Sequence, residues 1–222
     1  MPPRSNRAQR GLAAALASLV ILFSASLAPA QDVALPAPRT EGGPGLFEAL
    51  KKRSSVQGGD FSPIAEVSLE ELSTVLWAAS GLNRGETGWT VPMAEGLPPY
   101  VRVYVLGPQG SYRYDWLEHK LVLVTAENLK AKIGGPAFTK MAYYVLVLTT
   151  DMEVLDRLKH GGDFKDEFAN VLVGSMTQDI YLAAVALNLG ARYIHDMNVD
   201  AVKQVLGLAP ADYPVALMLL GK

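Results

Sequence analysis

The stretch that decides the fold is Leu72 to Asp115, LSTVLWAASGLNRGETGWTVPMAEGLPPYVRVYVLGPQGSYRYD. It opens with apolar residues at helical spacing, passes through a Gly-rich loop and a Thr-Val-Pro turn, and ends in short segments rich in β-branched and aromatic residues. Ser68 and Glu71 have the spacing of a capping box at the start of the helix, and Gly81 is expected to end it as a C′ glycine. The stretch therefore predicts a helix followed by an antiparallel meander.

The remaining sequence continues this mixture of helices and strands. Outside the helix that Ser68 caps, helices are expected at 46–52, after Thr125 through 133, after Asp151 to about 159, at 164–189 and at 199–206. Strands are expected at 101–106, 111–114, 120–124, 143–149, 191–194 and 215–220. The run 143–149 is continuously apolar and β-branched, which is typical of a strand buried on both faces. The pattern predicts an α+β domain with a central, mainly antiparallel sheet flanked by helices.

The first 45 residues differ from the rest of the chain. Residues 1–30 carry Arg4, Arg7 and Arg10 without acids, then an apolar run, then Ala28-Pro29-Ala30. This pattern is typical of a secretory signal peptide cleaved after Ala30 and predicts a secreted or periplasmic protein; an uncleaved anchor is the alternative. Residues 31–45 are rich in Pro and Gly and are predicted to be a flexible leader. One domain is expected over 46–222.

Composition excludes several classes of function. Without the three arginines of the predicted signal peptide, 17 of the 20 basic residues remain against 22 acidic ones, a net charge of −5. A mildly acidic domain lacks the clustered basic face of a nucleic-acid-binding protein. The chain has no Cys, and His119, His160 and His195 are far apart, so a structural zinc site is not expected. No nucleophile elbow, P-loop or dinucleotide-binding motif is present.

The segments LWAASGLNR, TVPMA, VYV and YRYD, in this order, resemble the flavin-nitroreductase superfamily. The likeness is strongest to its small dehydrogenase branch (SagB-type), associated with thiazole and oxazole formation. The resemblance extends over residues 46–222 and implies an FMN-dependent nitroreductase-like fold, a homodimer and a flavin at the dimer interface. Where the family has Pro-Ser-Ala, this chain has Pro92-Met93-Ala94.

The resemblance also implies the residues that contact the flavin. Lys52 and Arg53 would hold the phosphate, and Ser54, Ser55 and Gln57 would lie in the segment along the flavin edge, although Ser54 and Gln57 replace family arginines. A helix end with basic residues against its dipole is the alternative for this segment. The second segment would be the loop Pro92, Met93, Ala94 and Gly96, in which Met93 and Gly96 replace the family's Ser and Asn; a purely structural turn is the alternative.

Two later segments complete the expected site. Backbone at Ile194, His195 and Asp196, where the family has Gly-Gly after the Ile, would lie against the flavin ring. His195 and Asp196 could instead form only a local pair. The helix that contains Gln178 and Asp179 corresponds to a family packing and dimer helix. Lys222 is the one basic residue left at the C-terminus, where many relatives hold the phosphate with a basic stretch.

These expectations define one function and one alternative. The first is an exported FMN-dependent oxidoreductase that transfers a hydride through flavin N5 to a small-molecule acceptor, with no obligatory catalytic side chain. The alternative is a non-catalytic protein of the same fold that binds flavin or another small molecule, or acts as an interaction module. The replaced contact residues favour the alternative, and the intact order of motifs favours the enzyme.

Overall fold

The computed structural model describes residues 31–222 except 86–87, 94–96, 98 and 159–160. The predicted signal peptide, Ala94 and Gly96 therefore lie outside the described residues. In the described part, no helix has the length and apolarity needed to cross a membrane.

A seven-stranded antiparallel sheet forms the centre of the molecule, in the order β1-β6-β5-β4-β7-β9-β8. Its strands are β1 (Val33–Ala34), β4 (Val101–Gly107), β5 (Gly110–Asp115), β6 (Lys120–Thr125), β7 (Tyr144–Asp151), β8 (Gly190–Ile194) and β9 (Asp212–Gly221). A separate hairpin pairs β2 (Leu82–Arg84) with β3 (Gly88–Trp89). The helices are α1 (Leu46–Lys52), α2 (Leu69–Ser80), α3 (Met152–Asp156), α4 (Gly161–Ala186) and α5 (Val199–Leu206).

Helices cover both faces of the sheet, which confirms the predicted α+β class. Strand β7 lies between β4 and β9, and its side chains alternate between two cores. Leu146 and Leu148 face the core that contains α2 and α4, whereas Val145 and Val147 face the core that contains α5. Both sets are fully buried, as expected for a strand with a continuous apolar sequence.

The predicted capping box begins helix α2. The Ser68 hydroxyl accepts from the Glu71 N–H at 3.2 Å, and the Glu71 carboxylate accepts from the Ser68 N–H at 2.7 Å. Helix α2 ends at Ser80 and Gly81 follows it as predicted, as the C-cap residue in an extended conformation with a φ of −80°. A Cβ at Gly81 would lie 2.4 Å from Cδ1 of Trp77, so close packing of the indole requires the glycine.

Two other predicted helix starts have different outcomes. Asp151 caps α3 as expected, with Oδ1 accepting from the N–H groups of Glu153 and Val154. The predicted helix after Thr125 is wrong, because Thr125 is the last residue of β6 and only a 3₁₀ turn, Leu129–Ala131, follows. The Ser111 hydroxyl donates to the Glu127 carbonyl at 2.8 Å and accepts from the Leu129 N–H, which holds this segment against β5.

Residues 31–45, predicted from composition to be a flexible leader, contact the domain along much of their length. Val33 and Ala34 pair with β6. The Pro36 carbonyl accepts from the Ser73 hydroxyl at 2.6 Å, and the Arg39 N–H donates to the Thr74 hydroxyl at 2.9 Å. The prediction missed these bonds because their partners lie on α2 and β6, distant in sequence.

Candidate functional site

The outer edge of strand β8 carries most of the predicted cofactor segment. Residues 53–57 lie along this edge, where the Val56 N–H donates to the Ala191 carbonyl at 3.0 Å. The Arg192 guanidinium donates to the Val56 carbonyl at 2.9 Å. This side chain therefore replaces the backbone N–H that a paired strand would offer to that carbonyl. The segment after α1 is therefore fixed against the sheet edge by one backbone bond and one side chain.

Tyr181 of α4 connects this segment to β8. Its hydroxyl oxygen accepts from the Tyr193 N–H at 2.7 Å and lies 2.7 Å from the Ser55 hydroxyl. The Arg53 guanidinium lies 5.1 Å from the centre of the Tyr181 ring, in the position of a cation–π contact. One buried side chain thus positions two of the predicted cofactor residues.

The charges at this edge are suited to an anion. No ion pair joins Arg53 to an acidic side chain in the part of the chain that the structure describes. Arg192 stacks on Phe138 at 5.1 Å, and its buried Nε has no hydrogen-bond partner among the described residues. Arg192 is committed to Val56 and Phe138, whereas the Arg53 guanidinium has no hydrogen bond or ion pair with a described residue and fits a phosphate or the electron-rich edge of a flavin.

The other predicted residues of this segment are less firmly positioned for binding an anion. Lys52 is exposed and pairs with Glu48 at 2.6 Å, so its charge is already partly neutralised. Ser54 and Gln57 are exposed, and neither side chain forms a hydrogen bond with a described residue. Their side chains remain free to reach a bound molecule.

Residues 194–196 follow directly along the same edge. The Ile194 side chain is buried in the α5-side core, so only its backbone faces the site. His195 and Asp196 are exposed, and no hydrogen bond joins the two side chains. The described residues therefore contain neither a His195–Asp196 dyad nor the local pair that was its alternative.

Pro92 and Met93 lie in a different part of the molecule. They follow Trp89, whose ring meets the Trp116 ring at 5.9 Å just beyond the end of β5. Strand β5 is four strand positions from β8, about 19 Å at the usual strand spacing. Met93 packs against the core that contains α2 and α4, and Pro92 is exposed. Among the described residues, no hydrogen bond joins Pro92 or Met93 to residues 52–57.

The C-terminal lysine is engaged elsewhere. The Lys222 ammonium binds the Glu71 carboxylate at 2.9 Å. Burial opposes ionisation of Glu71, but the bonds from the Ser68 N–H and from Lys222 outweigh it and hold the pKa of Glu71 below its ordinary value. Lys222 thus fastens the last residue to the start of α2 and does not extend toward Arg53.

Sequence reasoning missed Arg192. Its position in a predicted strand hid its role, because the contact with Val56 spans 136 positions. A basic residue inside an otherwise apolar strand, next to an expected cofactor segment, was the signal that could have identified it.

Comparison with known proteins identifies the family of the chain. The sequence profile of the Nitroreductase family matches residues 50–222 of this chain. The Methanocaldococcus jannaschii protein named "Putative nitroreductase MJ1384" is 30% identical over 186 residues, which cover 80% of this chain and 90% of that protein.

Solved structures show the same fold. A crystal structure described as a "putative nitroreductase" from Ralstonia eutropha has a TM-score of 0.79 at 28% identity, covering 86% of this chain and 89% of the other. The Escherichia coli microcin synthetase McbBCD complex, with truncated pro-MccB17 bound, matches with a TM-score of 0.66 at 16% identity over 96% of this chain and 84% of that one. The chain belongs to the nitroreductase family.

Proposed function

We propose that the chain is an exported, homodimeric flavoenzyme that binds FMN and reduces or oxidises a small molecule. When bound, FMN would supply hydride or two-electron transfer through its N5 atom. The observation that carries the proposal is the half-buried Arg53 guanidinium, which lies over Tyr181 beside Ser55 and has no acidic partner in the described residues.

The residues of the β8 edge would divide the binding between them. Arg53, with Lys52 behind it, would hold the phosphate by charge-assisted hydrogen bonds. Ser55 and Gln57 would donate hydrogen bonds to the flavin edge, and the backbone of 194–196 would lie against the ring. Because Val56 already bonds to Ala191 and Arg192 at the edge of β8, no further strand would pair there.

A second copy of the chain would complete the site. No hydrogen bond joins Pro92 or Met93 to residues 52–57 among the described residues, so a flavin that contacts both segments would take one segment from each of two copies. Exposed apolar side chains support such an interface: Leu46, Phe47 and Leu50 of α1 are 61%, 86% and 45% exposed. Phe164 and Val171 of α4 are exposed by 52% and 64%. Soluble monomers rarely leave so much adjacent apolar surface in water.

Two finer features belong to the same proposal. The signal-like residues 1–30 support a secreted or periplasmic location, with cleavage after Ala30. The segments LWAASGLNR, VYV and YRYD support the small dehydrogenase branch associated with thiazole and oxazole formation, a placement consistent with the fold match to the microcin synthetase complex.

A non-catalytic role is the second candidate. Met93 turns its side chain into the core at the loop where relatives offer a serine, and Lys222 is bound to Glu71. Both observations remove expected contacts to the flavin. In this case the fold would bind flavin or another small molecule without turnover.

Redox cycling of the FMN-loaded protein separates the two candidates. The mature chain, loaded with FMN and freed of excess by gel filtration, is reduced with dithionite under argon and then mixed with a nitroaromatic or quinone acceptor. The enzyme should recover its oxidised spectrum with an acceptor-dependent rate that exceeds that of the same amount of free reduced FMN. Recovery no faster than that of free FMN would assign the non-catalytic role.

A further inference from the structure

A pocket lies on the other side of α4 from Tyr181. This cavity of about 370 Å³ opens to solvent and is lined by residues of the segment 39–44 and of helices α1, α2 and α4. Asp179, Leu182, Ala183 and Ala186 of α4 line it at helical spacing, so they form one stripe on the helix. Trp77 of α2 forms part of the opposite wall. The volume is within the range of sites for small molecules.

The Asp179 carboxylate is the unusual feature of this cavity. It is partly buried, and no hydrogen bond or ion pair joins it to another residue that the structure describes. Burial of the carboxyl group raises the pKa of Asp179 to about 6. A cation that enters the cavity would stabilise the ionised form of this carboxylate, because an opposite charge compensates for the hydration lost on burial.

The other charged groups that line the cavity do not satisfy Asp179. Arg39 directs its guanidinium to its own segment, where Nε donates to the Glu41 carbonyl at 3.0 Å. Glu41 is the third charged lining residue, so the lining has a net charge of −1 when Asp179 is ionised. The lining residues of α1 and α2 are uncharged. The electrostatic balance of the cavity therefore favours a cation.

We propose that this cavity binds a small organic amine, with the ammonium group on Asp179 and the apolar body between Trp77 and the alanine and leucine stripe of α4. The amine would be a primary ammonium with an aromatic or aliphatic body of a few carbons, since one carboxylate meets one charge and the remaining wall is largely apolar. Asn83 lines the rim and can accept a further hydrogen bond from the ligand. The lining residues belong to one chain and include no predicted flavin contact, but Leu46 also lies on the α1 face proposed for the dimer interface, so the inference rests on that interface leaving the cavity open.

Benzylamine and benzyl alcohol test the proposal, because they share a ring and differ in charge. Each is titrated into the mature protein at pH 8, and binding is followed by tryptophan fluorescence, to which Trp77 contributes from the cavity wall. Benzylamine should bind saturably and at least about tenfold more tightly than the alcohol. Asp179→Asn should abolish that preference, whereas Asp166→Asn, an exposed position on the same helix, should leave it unchanged.

Titration of the unmodified protein over pH provides a second readout that needs no variant. Benzylamine remains protonated between pH 8 and pH 5, whereas Asp179 becomes neutral over this interval. Its affinity should fall as the pH drops below about 6, and that of benzyl alcohol should not. Equal affinities for amine and alcohol, an unchanged preference in Asp179→Asn, or no saturable binding of benzylamine would overturn the proposal.

Discussion

The hydroxyl groups of Ser55 and Tyr181 lie 2.7 Å apart, although 126 positions separate them in the sequence. The Tyr181 oxygen also accepts from the Tyr193 N–H, so its own proton can be donated to Ser55. In that arrangement the Ser55 proton is free for a bound molecule. The phenol thus joins α4, the edge strand β8 and the expected cofactor segment.

Removal of this hydroxyl should weaken both the fold and the site. Tyr181→Phe leaves the Tyr193 N–H without its acceptor, which should lower the free energy of unfolding by about 1–3 kcal/mol in urea denaturation. Tyr213→Phe is the control, since that tyrosine is exposed. Equal stability of the two variants would show that the bridge does not hold β8 and α4 together.

His119 should make stability depend on pH. Its Nε2 contacts the Ser73 hydroxyl at 2.7 Å and the Pro36 carbonyl at 3.1 Å, and its Nδ1 contacts the Tyr114 hydroxyl. Burial lowers the pKa of His119 below its ordinary value of 6.5, and the bond to Pro36 opposes this only in part. The unfolded chain therefore binds the proton more readily, and the free energy of unfolding should fall as the pH drops through 6.5.

His119→Asn tests this dependence, since asparagine tolerates the positive φ of 48° at this position and does not titrate. Urea unfolding between pH 8 and pH 5 should show a smaller loss of stability in the variant than in the unmodified protein. His195→Asn, at an exposed site, should retain the original slope. Identical slopes for all three proteins would contradict the assignment to His119.

Asp179 should have the opposite pH dependence. Burial raises its pKa to about 6 from 3.8, so the folded state holds the proton more tightly than the unfolded chain does. The loss of folding stability caused by burying the ionised carboxylate is absent below pH 3.8, grows as the pH rises and is complete above about pH 6. Asp179→Asn should raise the unfolding free energy by about 1 kcal/mol at pH 8, after allowance for partial solvent exposure. At pH 4 the gain should be close to zero, and a gain that does not depend on pH would contradict the assignment.

Two glycine substitutions should change stability in opposite directions. Gly81→Ala forces its Cβ against Trp77 and should cost about 1–3 kcal/mol in urea unfolding. Gly174 is exposed in α4, and an added Cβ meets nothing within 4 Å. Gly174→Ala should therefore stabilise the protein by about 0.5–1 kcal/mol. A neutral Gly81→Ala would show that the indole can move aside.

The sequence predicts much of the fold because its signals are local. The capping box at Ser68 and the apolar run of β7 identify their elements without reference to the rest of the chain. The helix after Thr125 was wrongly predicted because the Ser111 hydroxyl, on a neighbouring strand, holds that segment in another conformation. Local capping signals do not reveal such a competing partner.

The site is less predictable than the fold. Arg53 and Ser55 follow from the family motif, but the clamp by Arg192 depends on a contact between distant segments. Pro92 and Met93 were expected at the same site, yet no hydrogen bond joins them to Arg53 among the described residues. The order of motifs along the sequence does not show how far apart such segments lie in the folded chain.

Equilibrium binding of FMN tests the central claim most directly. FMN fluorescence is titrated with the unmodified mature chain, with Arg53→Ala and with Lys51→Ala, the last being a control at the same helix end. We expect saturable quenching by the unmodified chain, an affinity about tenfold or more lower for Arg53→Ala, and little change for Lys51→Ala. No saturable binding by the unmodified chain, or equal affinities for all three proteins, would contradict the assignment of the β8 edge as a flavin phosphate site.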